Sequence, residues 1–122
     1  FYLAQHAHSH FVRKYGGMEE DDFLEMGRPA PSLADRLPHV HAYCDDLNVF
    51  GVDAEAVQDR ADRIIAGIEE SGFIVHERES ASTYAGTVGM EVNGLLGLVA
   101  AKPARRWKLR LVLRWLASRP FV

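Results

Sequence analysis

The sequence is short of cysteine and of long apolar segments. Cys44 is its single cysteine, so no disulfide can form within the chain, which favours a reducing compartment. No apolar run approaches the roughly 20 residues that a membrane-spanning helix needs, so we expect no membrane partner and an intracellular protein, cytoplasmic or nuclear, that is not secreted. With 122 residues, 48% of them hydrophobic, the chain is expected to form a single small domain.

Acidic residues are missing from the C-terminal part of the chain. Residues 92–122 carry seven basic side chains and no acidic one, a net charge of +7, whereas residues 1–91 carry −10, which leaves −3 overall. A basic tail on an acidic body is typical of a protein that binds a polyanion and also keeps carboxylates for cations. The plainer alternative is a solvated basic helix face.

Hydrophobic periodicity and turn residues predict an α+β fold in which helices cover a sheet. The expected elements, in chain order, are a helix (1–14), a surface-loop insertion with an acidic run and three prolines (15–38), a hairpin (39–51), a helix (53–72), strands at 73–76, 84–92 and 98–101, and a basic helix (103–118).

Two adjacent carboxylates, Asp45 and Asp46, lie at the centre of the predicted hairpin, with apolar and polar residues alternating on both sides. Neighbouring negative charges repel, and a bound cation relieves this repulsion; carboxylate oxygens are ligands that Mg²⁺ prefers. Because adjacent strand residues face opposite ways, we expect Asp45 to be the main ligand and Asp46 to assist. The alternative is an ordinary Asp-Asp turn, since aspartate is a common turn residue.

The motif Tyr43-Cys44-Asp45-Asp46, set between apolar strands, resembles the Tyr-x-Asp-Asp hairpin of reverse transcriptases. The resemblance implies an incomplete polymerase palm, that is, a ferredoxin-like antiparallel sheet packed with helices, followed by a basic C-terminal helix at the entry to the thumb. It also implies that Asp45 and Asp46 are catalytic and bind two Mg²⁺ or Mn²⁺ ions in the complete enzyme. Tyr43 would support the primer terminus, and Cys44 would lie near the last base pair.

The order of the neighbouring elements is similar to that family as well. Residues 1–14 resemble the palm helix that precedes the hairpin, residues 53–72 the helix that follows it, and residues 73–101 a strand and the primer-grip hairpin. The resemblance places Val88, Gly89 and Met90 near the primer backbone.

The implied reaction is attack of a primer 3′-hydroxyl on a deoxynucleoside triphosphate, with two metal ions assisting and pyrophosphate leaving. The expected partners are a primed RNA or DNA template and dNTPs. An RNA-templated RNA polymerase shares the palm, so the chemistry alone leaves template and product open. The kind of retroelement, accompanying nuclease or integrase domains and oligomeric state are open as well.

The sequence departs from the family in three respects. It begins at Phe1, so the upstream metal-binding aspartate of the family is absent, and so are the Leu-Pro-x-Gly loop and the fingers. We therefore expect a fragment that is inactive alone and works with the remaining fingers, palm and thumb of a parent polymerase. A lysine that many members carry after the second helix is also missing; His76 and Arg78 are candidates for protonating pyrophosphate in its place.

The basic helix carries Arg106, Arg110 and Arg114 four residues apart, which places them in one stripe. Guanidinium groups bind phosphate oxygens without reading base sequence, as a polymerase requires. Trp107 and Trp115 belong to an adjacent apolar row and are expected in the core, with base stacking as the alternative.

Two other functions remain open. The strand His39-Val40-His41 places two imidazoles on one face, as in a nuclease that nicks single-stranded DNA with one metal and a tyrosine, here Tyr2 or Tyr84. The other alternative is a palm relic that binds nucleic acid without catalysis.

Overall fold

The computed structural model describes residues 2–17, 19, 22–25, 27–32, 37–44 and 46–119, which form three helices and five strands. The elements are α1 (Tyr2–Gly16), β1 (His39–Tyr43), β2 (Asp46–Phe50), α2 (Ala54–Glu70), β3 (Tyr84–Thr87), β4 (Met90–Asn93), β5 (Leu98–Ala101) and α3 (Pro103–Ala117). They divide into two compact units, Phe1–Ala81 and Ser82–Val122. A stretch without regular structure, residues 71–83, precedes β3.

The boundaries of the helices follow from their terminal residues. The Asp53 carboxylate accepts hydrogen bonds from the backbone N–H groups of Glu55 (3.0 Å) and Ala56 (3.2 Å), which caps the N-terminus of α2. Gly17 (φ +59°) and Gly72 (φ +89°) follow the C-termini of α1 and α2 in left-handed conformations that favour glycine. Pro103 begins α3, where its missing N–H has no helical partner to lose. All three predicted helices are confirmed.

The core of the first unit lies between its two helices and the β1–β2 hairpin. Val12 of α1, Val40 of β1 and Ile64 of α2 are fully buried, together with Phe23. The partly buried residues packed against them are Ala42, Leu47, Val49 and Ile68. The helices therefore cover one face of the hairpin.

The segment predicted as a surface-loop insertion, residues 15–38, contributes to this core. Phe23 is only 4% exposed and forms an isolated parallel bridge with Val40, and the N–H of Leu24 donates to the Val40 carbonyl at 2.9 Å. The prediction of a surface loop is wrong at this point because one aromatic side chain in a polar segment gains enough from burial to pull its backbone against β1.

The predicted strand at residues 73–76 is also wrong, since these residues are extended but belong to no sheet. Phe73 instead packs its ring edge-on against Phe11 of α1, with the ring centroids 5.2 Å apart. Of the apolar run that suggested a strand, Phe73 thus contacts a helix, while Ile74 is exposed.

The second unit contains a three-stranded antiparallel sheet in the order β3-β4-β5. The single strand predicted over residues 84–92 is divided by a two-residue turn at Val88 and Gly89, whose φ angles of +45° and +77° fit a type I′ hairpin. The turn expected at Asn93-Gly94 spans residues 94–97, with the Asn93 side-chain oxygen accepting from the N–H of Leu96 at 3.1 Å. Strand β5 lies where the sequence predicts it.

The described residues therefore form a mixed α+β protein of three helices and two small antiparallel sheets, as expected. No helix in the described part of the chain combines the length and the apolar character needed to cross a bilayer.

Gly67 allows α1 and α2 to approach closely. It is buried, and a Cβ atom at this position would lie 2.6 Å from the Tyr15 Cβ and closer still to the Tyr15 ring. Replacing a helical glycine with alanine normally stabilises a helix by about 1 kcal/mol. Here we expect Gly67→Ala to lower the stability by about 1–3 kcal/mol, because the two helices must separate.

Thermal unfolding monitored by circular dichroism measures whether Gly67→Ala lowers or raises the stability. Ala66→Gly, at the exposed neighbouring position, is the matched control and is expected to cost about 1 kcal/mol through helix propensity alone. A higher melting temperature for Gly67→Ala would contradict the close approach.

Candidate nucleic-acid interface

The β1–β2 hairpin has one apolar and one polar face. Val40 pairs with Val49 and Ala42 with Leu47, and these four side chains face the core. Because side chains alternate along a strand, the intervening residues lie on the opposite face. This opposite face is polar except for Phe50 and is called the polar face below; it consists of His39, His41 and Tyr43 on β1 and Asp46, Asn48 and Phe50 on β2.

Tyr43 and Asp46 meet at the tip of the polar face. They form the last residue pair of the hairpin, so two residues, Cys44 and Asp45, connect the strands. Cys44 has φ +55°, the left-handed value that a type I′ turn requires. Asp46 is exposed, and Tyr43 is 43% exposed. The predicted hairpin is thus present with Asp46 at its tip, while Asp45 lies outside the described residues.

The donor chemistry of the tip fits a hard cation in part. Asp46 offers carboxylate oxygens at an exposed position, which suits Mg²⁺, an ion that keeps several waters and takes one or two protein carboxylates. Among the described residues no three His, Cys, Asp or Glu side chains converge on a metal position. Asp46 is therefore the described residue that would hold a metal, with Asp45 as its expected neighbour.

An aromatic surface extends from the tip along β1. The rings of His41 and Tyr43 stack with centroids 6.2 Å apart and planes 13° apart. Such a surface can support a base or a sugar by stacking without selecting a sequence. Our sequence reasoning considered His41 only as a metal ligand and missed its place beside Tyr43, although the alternation along β1 puts both on one face.

Two side chains of α1 form hydrogen bonds with the backbone at the turn and next to it. The Gln5 side chain donates to the Ala42 carbonyl at 2.7 Å and accepts from the Cys44 N–H at 2.6 Å. His8 Nδ1 lies 2.8 Å from the Cys44 carbonyl oxygen, to which it donates as the Nδ1–H tautomer. Neither residue was a candidate in the sequence, because a polar residue on a helix gives no signal that distinguishes it from a solvated one.

His39 and His41 share one face of the hairpin as expected. His39 is buried, and its Nε2 lies 2.8 Å from the Ser32 carbonyl oxygen, whereas its Nδ1 makes no hydrogen bond and lies 3.8 Å from the Asp22 carboxylate. A metal-binding histidine commonly bonds a carbonyl through one ring nitrogen and the metal through the other, so the nuclease alternative stays a hypothesis.

The candidate nucleophile Tyr84 is paired with a carboxylate. A hydrogen bond to Glu91 raises the pKa of the Tyr84 phenol, which makes the phenolate scarcer at neutral pH. A nucleophilic hydroxyl can also be activated by an adjacent base, so this pairing leaves the nuclease alternative a hypothesis.

The predicted primer-contact residues Val88, Gly89 and Met90 lie at one hairpin end of the second unit. Val88 and Gly89 form the turn, and Met90 is the first residue of β4. The guanidinium of Arg105 fills the space that a side chain at residue 89 would occupy. Arg105 was not predicted, and it adds a cation to this turn.

His76 and Arg78, the candidates for protonating pyrophosphate, lie in the irregular stretch before β3. His76 is exposed. Arg78 forms an ion pair with Glu69, near the end of α2. The structure does not bring these two side chains to the β1–β2 tip by any described contact.

The arginine stripe of α3 is present as predicted. Arg106, Arg110 and Arg114 line one side of the helix together with Leu109 and Leu113. No residue of α3 is buried, and Trp107 and Trp115 are 57% and 54% exposed, so the expectation that both tryptophans are core residues is wrong. The Arg119 guanidinium covers the Trp115 ring at 4.2 Å from its centroid. The apolar row that suggested a core lies open on this helix.

Comparisons with known proteins give no further assignment. No protein-family model matches the chain, and neither the curated proteins nor the solved structures that were searched contain a match.

The pKa of Tyr84 provides a direct check on the second unit. We expect its phenol to titrate above the ordinary value of 10.0, and Glu91→Gln to bring the pKa back towards that value because the carboxylate acceptor is lost. Titration of the tyrosine ring carbons by NMR measures both. A Tyr84 pKa below 10.0 in the unaltered protein would reverse our reading of this residue.

The arginine stripe is expected to carry non-specific binding of nucleic acid. Replacing Arg106, Arg110 and Arg114 by Gln should weaken binding to a primed duplex and reduce the salt slope by roughly one unit for each arginine that contacts a phosphate. Fluorescence anisotropy over a range of salt concentrations measures the slope.

The matched control removes three cations from the first unit, Lys14, Arg28 and Arg63, and is expected to leave the slope near that of the unaltered protein. Equal slopes for both triple variants would make the α3 stripe a solvated surface.

Proposed function

We propose that this chain is the C-terminal part of the palm of a retroelement-type RNA-directed DNA polymerase, which extends a primer by two-metal nucleotidyl transfer. One observation carries the proposal: Tyr43 and Asp46 lie side by side at the exposed tip of a hairpin, on the face opposite to the core. A nucleic acid and a metal ion can approach this tip without displacing the core.

The roles proposed for the tip follow from its chemistry. Asp46, with Asp45, holds the cations, and Tyr43 with its neighbour His41 presents a stacked aromatic surface to the primer end. When bound, the metal ions lower the pKa of the attacking 3′-hydroxyl and neutralise the charge that develops on the leaving pyrophosphate. The protein contributes position and electrostatics rather than covalent chemistry.

The second unit supplies sequence-independent contacts in this proposal. The Val88-Gly89 turn with Arg105 beside it, and the stripe of Arg106, Arg110 and Arg114, present cations to phosphate oxygens. Such contacts fix register and hold the nucleic acid without limiting which sequence is copied.

Primer extension by the protein at its full natural length tests the proposal. Asp45→Asn and Asp46→Asn are each expected to reduce extension by several orders of magnitude while leaving binding of the primed template nearly unchanged, because the amide is a poor ligand for Mg²⁺ and alters little else. Extension rates and template affinities are measured on the same preparations.

Asp53→Asn is the matched control, since asparagine also caps a helix and the substitution removes the same charge a few residues away. Extension retained in both tip variants would refute the assignment. Binding without extension by the unaltered protein would instead favour a non-catalytic relic.

A further inference from the structure

We propose that Gln5 and His8 are positioning residues that fix the turn carrying Asp45, and thereby the metal-binding carboxylates. This inference rests on the function proposed above and concerns how the site is held. It follows from the three hydrogen bonds that α1 makes with the backbone of the turn.

The two side chains bond both polar backbone groups of Cys44. Gln5 accepts from its N–H at 2.6 Å, and His8 Nδ1 lies 2.8 Å from its carbonyl oxygen. The Gln5 amide also donates to the Ala42 carbonyl at 2.7 Å, so one side chain spans two peptide groups. The carbonyl bonded by His8 belongs to the peptide bond that joins Cys44 to Asp45.

Gln5 and His8 act from a rigid support. They lie three residues apart and therefore on one face of α1, the face that continues to the fully buried Val12 and the buried Gly16. Their hydrogen-bond partners, Ala42 and Cys44, lie 36–39 residues away in sequence. Because α1 is packed in the core, its side chains hold these distant backbone groups in a nearly fixed position.

The conformation of Cys44 explains why such support is needed. Its φ of +55° is unfavourable for a residue with a Cβ atom and persists where the surroundings impose it. Without the two side chains the turn could relax to other conformations while its polar groups bonded water. A metal ligand displaced by about 1 Å loses much of its effect on a reaction.

Three measurements on this chain test the inference. Amide hydrogen exchange of Cys44 reports the hydrogen bond to Gln5. The rate at which Cys44, the only thiol, reacts with a disulfide reagent reports the turn conformation. Broadening of the Asp46 amide resonance by Mn²⁺ alone reports metal binding at the tip.

Gln5→Leu and His8→Leu are expected to change the thiol reaction rate and to weaken Mn²⁺ binding, each by about tenfold, as the loss of a hydrogen bond to a partly buried partner predicts. Exchange at the Cys44 amide should rise by about tenfold in Gln5→Leu. His8→Asn keeps a donor near the Nδ1 position and should restore Mn²⁺ binding towards the unaltered value.

Gln5→Glu keeps the acceptor for the Cys44 N–H and loses the donor to Ala42, so slow exchange at Cys44 should persist. Glutamate has nearly the same shape as glutamine. If Gln5→Leu does not fold, Cys44 amide exchange in Gln5→Glu therefore tests the hydrogen bond between residue 5 and the turn. Gln58→Leu on α2 and His10→Leu on α1 are matched controls and should leave all three measurements unchanged.

Unchanged exchange and unchanged Mn²⁺ binding in Gln5→Leu would overturn the inference. Faster exchange with unchanged Mn²⁺ binding would also overturn it, because the hydrogen bonds would then serve the fold alone. If the unaltered chain shows no Mn²⁺ broadening, the proposed metal site fails, and the exchange data show separately whether α1 holds the turn.

Discussion

The first unit depends on the packing of two helices against one face of a two-stranded hairpin. A hairpin of this size is marginally stable in water by itself, so it needs an apolar cover. Val12 and Ile64, one from each helix, provide that cover over Val40. Because both helices occupy the same face, the polar residues of the hairpin remain on the other, and the candidate site exists as a consequence of how the core is built.

The elements that could be predicted are those in which the spacing of apolar residues matches the side chains that are buried. The hairpin alternates between apolar and polar residues from His39 to Val49, apart from its turn, and α2 carries a capping aspartate at its start, so both follow from the sequence. Phe23 was missed because a single buried aromatic residue in a polar segment has no period to detect. The turn at Val88 was missed because a β-branched residue with positive φ contradicts local preference.

The candidate site shows the same limit. The alternation of apolar and polar residues predicts the hairpin, and Tyr43 and Asp46 flank its turn, so the sequence alone brings them together at the tip. Gln5, His8 and Arg105 could not be found this way, because their partners are backbone groups or a glycine distant in sequence. Backbone contacts leave no trace in the identity of the contacted residue. The exposed Trp107 and Trp115 show the converse, since an apolar row predicts burial only where a partner surface is present.

The two tight turns at Cys44 and Val88 bear on the order of folding events. Both place a residue with a Cβ atom at positive φ, where asparagine or glycine would form the turn more readily. Neither hairpin therefore has a turn that nucleates it early. In the first hairpin, hydrogen bonds from α1 offset the unfavourable conformation of Cys44. These bonds form only after a loop of 36–39 residues has closed. The β1–β2 hairpin is thus expected to become ordered after its supporting helix is in place, and its folding rate to be set by this distant contact.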